Sequence, residues 1–238
     1  MLVLSVGMPR AGSGWHYNLV HDLIVANGGQ DARQIRARYR LQSILTEVNC
    51  NMGSLAAHRL GRVLIPALLG NQFTVKLHGG PKPVAKLLIR LGFIKPIYIY
   101  RDPRAALLSA FEYGQRGGSG FKHLADIDAA IKFMAPYLQI WDAWTAMPNV
   151  LAVRYEDMLS DYPAEIERLL AFLSVDKGDA KVAEVVARYQ PGKSSAEDKG
   201  QHFHKGDAQR FRSALTDQQL AAAQQAFGAH LTKMGYQI

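Results

Sequence analysis

The opening 26 residues constrain the fold more than any other stretch. Leu2–Val6 is a short apolar run, residues 7–15 ("GMPRAGSGW") are rich in glycine, and Trp15–Ala26 has a helix-compatible pattern. A buried strand, a small-residue turn and a helix in direct succession form the start of a crossover unit. Such units build parallel sheets covered by helices on both faces. Three further runs rich in Val, Ile, Leu and Tyr, at Phe73–His78, Ile97–Arg101 and Val150–Tyr155, are each followed by helix-compatible sequence.

Further helices are expected at Pro83–Leu91, Pro103–Tyr113, Ile127–Met147, Pro163–Leu173, Ala180–Tyr189 and Asp217–Met234. Asp102-Pro103 and Thr216-Asp217 supply start signals, a capping side chain followed by a residue suited to the first turn. The expectation is a single α/β domain over residues 1–238, with a mostly parallel central sheet flanked by helices. Ligands of such sheets bind beyond the carboxyl ends of the strands, so the residues after each strand are the functional candidates. Residues 190–207 form the longest loop-like stretch, and loops of that length in compact domains tend to carry function.

A formal charge of +8 suits an anionic partner without choosing its kind. No nucleic-acid module and no basic platform interleaved with aromatics is present, so nucleic acid is not expected. No apolar run is long enough for a spanning helix and no leader-like stretch opens the chain, which points to a cytoplasmic protein. Cys50 is the only cysteine; it excludes an intrachain disulfide and reads as a small buried hydrophobe.

In the first loop, Gly7, Gly12 and Gly14 permit tight backbone geometry while the next helix turns its free N–H groups into the bend. That end carries partial positive charge and binds anions. Ser13 adds a hydroxyl. A Walker loop ends in Gly-Lys-Ser/Thr so that lysine reaches the outer phosphates. Gly12-Ser13-Gly14 stands there instead, which opposes ATP or GTP hydrolysis. A small-molecule kinase and a non-catalytic anion or nucleic-acid binder remain as competing readings, and a plain glycine turn as the structural one.

The other strand ends add chemistry. In "VKLHGG" (75–80), Lys76 and His78 fall on the same side of an extended strand. Histidine titrates near neutral pH and suits a general base, although at a strand end it also serves as a polar group satisfied by backbone. Arg101 ends the third strand and Ser109 lies two helical turns further on. A guanidinium fork and a facing hydroxyl can cradle a phosphate, while an ion pair of Arg101 with Asp102 or Glu156 is the structural alternative. Tyr155 ends the fourth strand, with a core position as its alternative; Glu156 and Asp157 read as structural. Arg33, Arg36 and Arg40 fall at helical spacing, as a solvated face or as a contact surface for an anionic acceptor. His202 and His204 offer two metal ligands, too few for a site, and no metal is expected.

Pro9-Arg10-Ala11-Gly12-Ser13-Gly14-Trp15 resembles the 5′-phosphosulfate loop, Pro-Lys-Ser-Gly-Thr-Thr-Trp, of the sulfotransferases that use 3′-phosphoadenosine 5′-phosphosulfate (PAPS). Arg101 with Ser109 resembles that family's 3′-phosphate motif, and Lys76-x-His78 its Lys-Thr-His. "YEDM" (155–158) and residues 204–216 ("HKGDAQRFRSALT") match two further segments. The resemblance implies a P-loop-like fold and transfer of a sulfuryl group from PAPS to an acceptor hydroxyl, an amine being the lesser alternative. 3′-Phosphoadenosine 5′-phosphate (PAP) would be the product, and no metal would be needed. By the same resemblance His78 is the general base, and Arg10 and Lys76 stabilise charge on the departing phosphate. Arg10, Ala11, Gly12, Ser13, Gly14 and Trp15 would hold the 5′ end, with Trp15 and Tyr155 near adenine. Arg101 and Ser109, closed over by His204, Lys205 and Gly206 as a lid, would hold the 3′-phosphate. Arg10 stands for the usual lysine, His204 for an arginine, and Arg210-Phe211 for an Asp-Trp pair. The family's dimer signature is not preserved, so that dimer is not carried over and the oligomeric state is left open; the expected acceptor is a small molecule or saccharide bearing a hydroxyl, its identity unspecified.

Overall fold

The computed structural model describes residues 1–193 and 209–238. Strands β1 (Leu2–Gly7), β2 (Phe73–Leu77), β3 (Ile94–Tyr100) and β4 (Leu151–Arg154) form one all-parallel sheet in the order β2-β1-β3-β4. The helices are α1 (Ser13–Ala26), α2 (Ala32–Arg38), α3 (Ala57–Leu68), α4 (Pro83–Arg90), α5 (Pro103–Gln115) and α6 (Ile127–Thr145). They continue with α7 (Tyr155–Ser160), α8 (Tyr162–Leu173), α9 (Ala180–Arg188), α10 (Phe211–Ala214) and α11 (Asp217–Lys233).

Every residue of β1 is buried, as expected of a strand covered on both faces. Val3, Ile97, Ile99 and Val153 turn to one side, into a core with Leu19 and Leu23 of α1 and Ile166, Leu169 and Leu173 of α8. Leu2, Leu4, Val6, Val75 and Tyr98 turn to the other, against α3 to α6 and α11. Because β1 has a parallel neighbour on each side, the loops after β1 and β3 diverge at its carboxyl end. That is the switch point at which open α/β sheets bind ligands.

Helices α2, α3, α7 and α10 were not among those expected; the other differences are local. β3 begins at Ile94 and includes Pro96, which sits opposite Leu4 of β1. Pairing with β4 starts only at Ile97, so the missing N–H falls where β3 has no neighbour on that side. Tyr155 opens α7 rather than closing β4, with Glu156 and Asp157 in the favourable first turn of that helix. Asp102 caps α5, its carboxylate accepting from the Arg104 N–H at 2.9 Å, and Pro103 follows at the first helical position. Thr216 caps α11 in a reciprocal box with Gln219. No helix among the described residues is long and apolar enough to cross a membrane.

Candidate active site

The loop after β1 is held in a shape few sequences allow. Arg10 (φ 64°) and Gly12 (φ 77°) both lie in the left-handed region. Alternating backbone of this kind turns successive N–H groups into one concavity, a nest for anions. Glycine is required at position 12 twice over: a Cβ there would also lie 2.6 Å from Cδ2 of Tyr155. α1 starts at the next residue with no side-chain cap, unlike α2, α5, α6, α8, α9 and α11, which a carboxylate or hydroxyl closes. Its first N–H groups therefore face the cavity.

That cavity, about 420 Å³, is lined by the first loop, Lys76, His78, Arg101, Ser109 and Tyr155 together. His78 follows β2 directly, and its Nδ1 lies 2.7 Å from the carbonyl oxygen of Gly7 at the end of β1. A carbonyl only accepts, so Nδ1 carries the proton and Nε2 keeps its lone pair. Burial, reinforced by the charge of Lys76 and partly offset by the Gly7 bond, pulls the His78 pKa down to about 4. The ring is thus neutral at physiological pH, in the tautomer a base requires. Lys76, itself buried, is lowered to about 8 by burial and by the charge of Arg10. It remains largely charged at neutral pH.

Arg10 and Ser109 were expected to hold different ends of one nucleotide, yet their side chains meet. Arg10 Nε donates to Ser109 Oγ at 3.2 Å, and its guanidinium lies 4.3 Å from the centre of the Tyr113 ring. Burial lowers the Arg10 pKa. The guanidinium of Arg101 lies 4.7 Å from the centre of the Tyr155 ring. The expected structural partners of Arg101 are engaged elsewhere. Asp102 receives the Arg104 guanidinium at 2.8 Å, and Glu156 accepts from the Asp102 N–H at 3.1 Å and the Tyr236 hydroxyl at 2.8 Å. Trp15, also at the cavity, is only 4% exposed; its Nε1–H donates to Tyr189 O at 3.0 Å and its ring packs on Tyr162 and Tyr155. It underlies Tyr155 more than it faces the space. Ala11 is fully buried behind the loop, while Ser13 and Gly14 line the cavity. His204, Lys205, Gly206 and most of the expected lid lie outside the described residues.

Reading the sequence missed the segment that walls the Lys76–His78 end of the cavity. Residues 49–52 run beside β2: Lys76 N–H donates to Cys50 O at 3.2 Å, and Met52 N–H to Lys76 O at 3.0 Å. Cys50, fully buried as expected, takes φ 43° to turn Asn49 and Asn51 towards the cavity. Asn51 Oδ1 accepts from Gly53 N–H at 2.9 Å, whereas buried Asn49 Oδ1 has no hydrogen-bond partner. The Arg33 and Arg36 pair proves to brace this segment, donating to Val48 O at 3.0 Å and Leu45 O at 2.8 Å. Arg40 lies beyond the end of α2, so the expected three-arginine face is not formed. Across the cavity, Phe133 and Tyr137 of α6 and Phe121 supply aromatic walls. Arg210, at the start of α10, grips Glu112 of α5 with both η nitrogens, one at 2.7 Å, and both residues line the rim.

A loop with two left-handed residues before an uncapped helix, cationic side chains from three strand ends and a neutral histidine thus line one cavity of an α/β sheet. Known structures share this architecture. Mouse sulfotransferase SULT7A1 complexed with PAP superposes with a TM-score of 0.67 at 16% identity, over 97% of this chain and 84% of that one. Retinol dehydratase in complex with androsterone and inactive cofactor PAP gives 0.58 at 19% identity, over 100% and 82%. The sulfotransferase domain from the curacin biosynthetic pathway gives 0.51 at 15% identity, over 100% and 98%. No curated protein matches the chain. The sulfotransferase domain family model matches residues 2–235, and the chain belongs to that family.

Proposed function

We propose that residues 1–238 form one PAPS-dependent sulfotransferase domain that sulfates an acceptor hydroxyl, with His78 as general base. The observation that carries this reading is the Gly7 O···His78 Nδ1 bond, which aims a neutral Nε2 into the cavity that also holds Lys76 and the first-loop N–H groups. The site fits a doubly phosphorylated adenosine. One anion suits the nest at Gly12–Trp15 and Lys76, the other suits Arg101 and Ser109, and the Tyr155 side chain lies between. Two of the solved relatives carry PAP, which supports the same occupant here.

PAPS would supply the sulfuryl group and keep the 5′-phosphate as the leaving group, released as PAP when the sulfur passes to the acceptor oxygen. The chain's own residues do the rest. His78 Nε2 takes the acceptor hydroxyl proton, which only the neutral ring can do. Lys76 and the N–H groups of residues 12–15 hold the 5′-phosphate oxygens as fixed, desolvated positive charge, the source of most electrostatic catalysis. Arg10 serves the same oxygens after leaving Ser109, and Ser109 is then free to join Arg101 at the 3′-phosphate. Lys205 and Gly206, next to His204, are assigned to closing that end. Asn49, Phe133 and Tyr137 line the remaining space, where a small hydroxyl-bearing acceptor fits. Androsterone bound to retinol dehydratase supports an acceptor of this kind. The lone, buried Cys50 suits a reducing cytoplasmic compartment.

A thermal-shift comparison of PAP, ATP and an oligonucleotide tests the assignment. PAP alone is expected to raise Tm substantially; a larger shift from ATP or the oligonucleotide rejects the reading.

A further inference from the structure

The +8 charge is unevenly placed. Between Glu47 and Asp102 there is no acidic residue, while Arg59, Arg62, Lys76, Lys82, Lys86, Arg90, Lys95 and Arg101 all fall there. Lys76 and Arg101 belong to the cavity, and Arg59 and Lys95 are tied to backbone carbonyls. The Lys82, Lys86 and Arg90 row along α4 remains at the surface, as does Arg62 on α3, which donates to Arg40 O at 2.8 Å, and none of the four forms an ion pair among the described residues.

The same two helices carry most of the exposed large apolar side chains. Ile65, Leu68 and Leu69 stand out from the end of α3, at 51%, 65% and 67% exposure. Val84, Leu87 and Leu91 run along α4 at 47%, 57% and 60%, and Phe93 follows at 44%. On each helix these positions recur three or four residues apart, opposite the buried Leu60, Val63 and Leu64 of α3 and Ala85 and Ile89 of α4. On α4 the spacing of Lys82, Lys86 and Arg90 places them in a row beside the apolar one. α3 and α4 pack on one another, which sets the two exposed stripes on neighbouring helices. A contiguous apolar patch rimmed by cations marks an interaction surface.

We propose that this α3–α4 face docks on the surface of an anionic phospholipid bilayer. Apolar side chains flanked by lysine and arginine, on a stretch of chain without acids, are what an interfacial helix presents to acidic headgroups and the acyl boundary. A second copy of the chain fits badly. A two-fold interface through this face sets Lys82, Lys86 and Arg90 against their own copies, with no carboxylate between them. The face is separate from the cavity, and the proposal does not depend on the chemistry carried out there.

The test is co-sedimentation of the full chain with phosphatidylcholine vesicles made with or without phosphatidylserine. Binding is expected only with phosphatidylserine and weakens as salt rises. Each charge reversed in Lys86→Glu and Arg90→Glu should cost about fivefold or more in partitioning. Leu87→Ser with Leu91→Ser should reduce it comparably. These side chains lie outside the core, and a retained thermal melt shows that the variants fold. No binding to the phosphatidylserine vesicles, or binding that both variant pairs leave intact, overturns the proposal. So does a dimer in sedimentation velocity that Leu87→Ser dissociates, since the face then belongs to a second copy.

Discussion

Replacing Gly12 with alanine tests the account of the first loop. Two costs are separable. Holding a non-glycine residue at φ 77° costs about 1–2 kcal/mol. A Cβ placed 2.6 and 2.7 Å from two carbons of the Tyr155 ring must push the ring or the loop aside, an overpacking cost of about 1–3 kcal/mol. The sum, roughly 2–5 kcal/mol, corresponds to a fall in Tm of roughly 4–20 °C for a chain of this size. Urea unfolding of Gly12→Ala, Tyr155→Leu and the double variant measures both parts. The double variant should be less destabilised than the two singles added together, by about the overpacking part, because the leucine leaves room for the new methyl. Strict additivity, or a Gly12→Ala cost below about 1 kcal/mol, refutes the claim that this glycine is required by both backbone and neighbour.

His78→Ala should lower kcat by roughly 10²–10⁴-fold, the range for loss of a general base, while PAP affinity falls far less; mass-spectrometric assay and calorimetry check the two sides. The rate constant kcat/KM for PAPS should decline above about pH 8, where Lys76 in the free enzyme loses its proton and its charge. Lys76→Arg should move that limb upward, and an unmoved limb assigns it to another group. Stability should fall in acid. Buried His16, bonded through Nδ1 to Ser5 Oγ at 2.9 Å, has its pKa pulled to about 3 by burial and by Lys76. The unfolded chain takes up a proton below about pH 6.5 that the native ring refuses, so stability is full above that value. It is lost by about 1.4 kcal/mol per pH unit as pH falls towards 3. His16→Gln should flatten the decline, as read by urea midpoints across the range.

Much of this was legible in the chain because strand, glycine loop and helix follow one another without interruption, and because capping chemistry is local. Asp102-Pro103 and Thr216 marked helix starts that the structure shows. α3 was not among the expected helices; it contains Gly61 and Pro66, which disfavour helix interiors, and its buried Leu60, Val63 and Leu64 hold it by tertiary packing. The segment carrying Asn49 and Asn51 was illegible for a different reason. Its place beside Lys76 depends on two backbone bonds to β2, a positive φ at Cys50 and arginine donors to carbonyls, none of which leaves a local pattern. Arg10 was read by position alone, and position does not tell which way a long side chain turns; it turns to Ser109.

The central claim is that the first loop and the Arg101–Ser109 pair hold one molecule bearing two phosphates. Calorimetric titration with PAP and with adenosine 5′-phosphate, on the unaltered chain and on Arg101→Ala, measures it most directly. Charged hydrogen bonds from a guanidinium fork predict PAP binding tighter by about 10²-fold or more, a margin that largely disappears in the variant. Equal affinity for the two nucleotides in the unaltered chain contradicts the account.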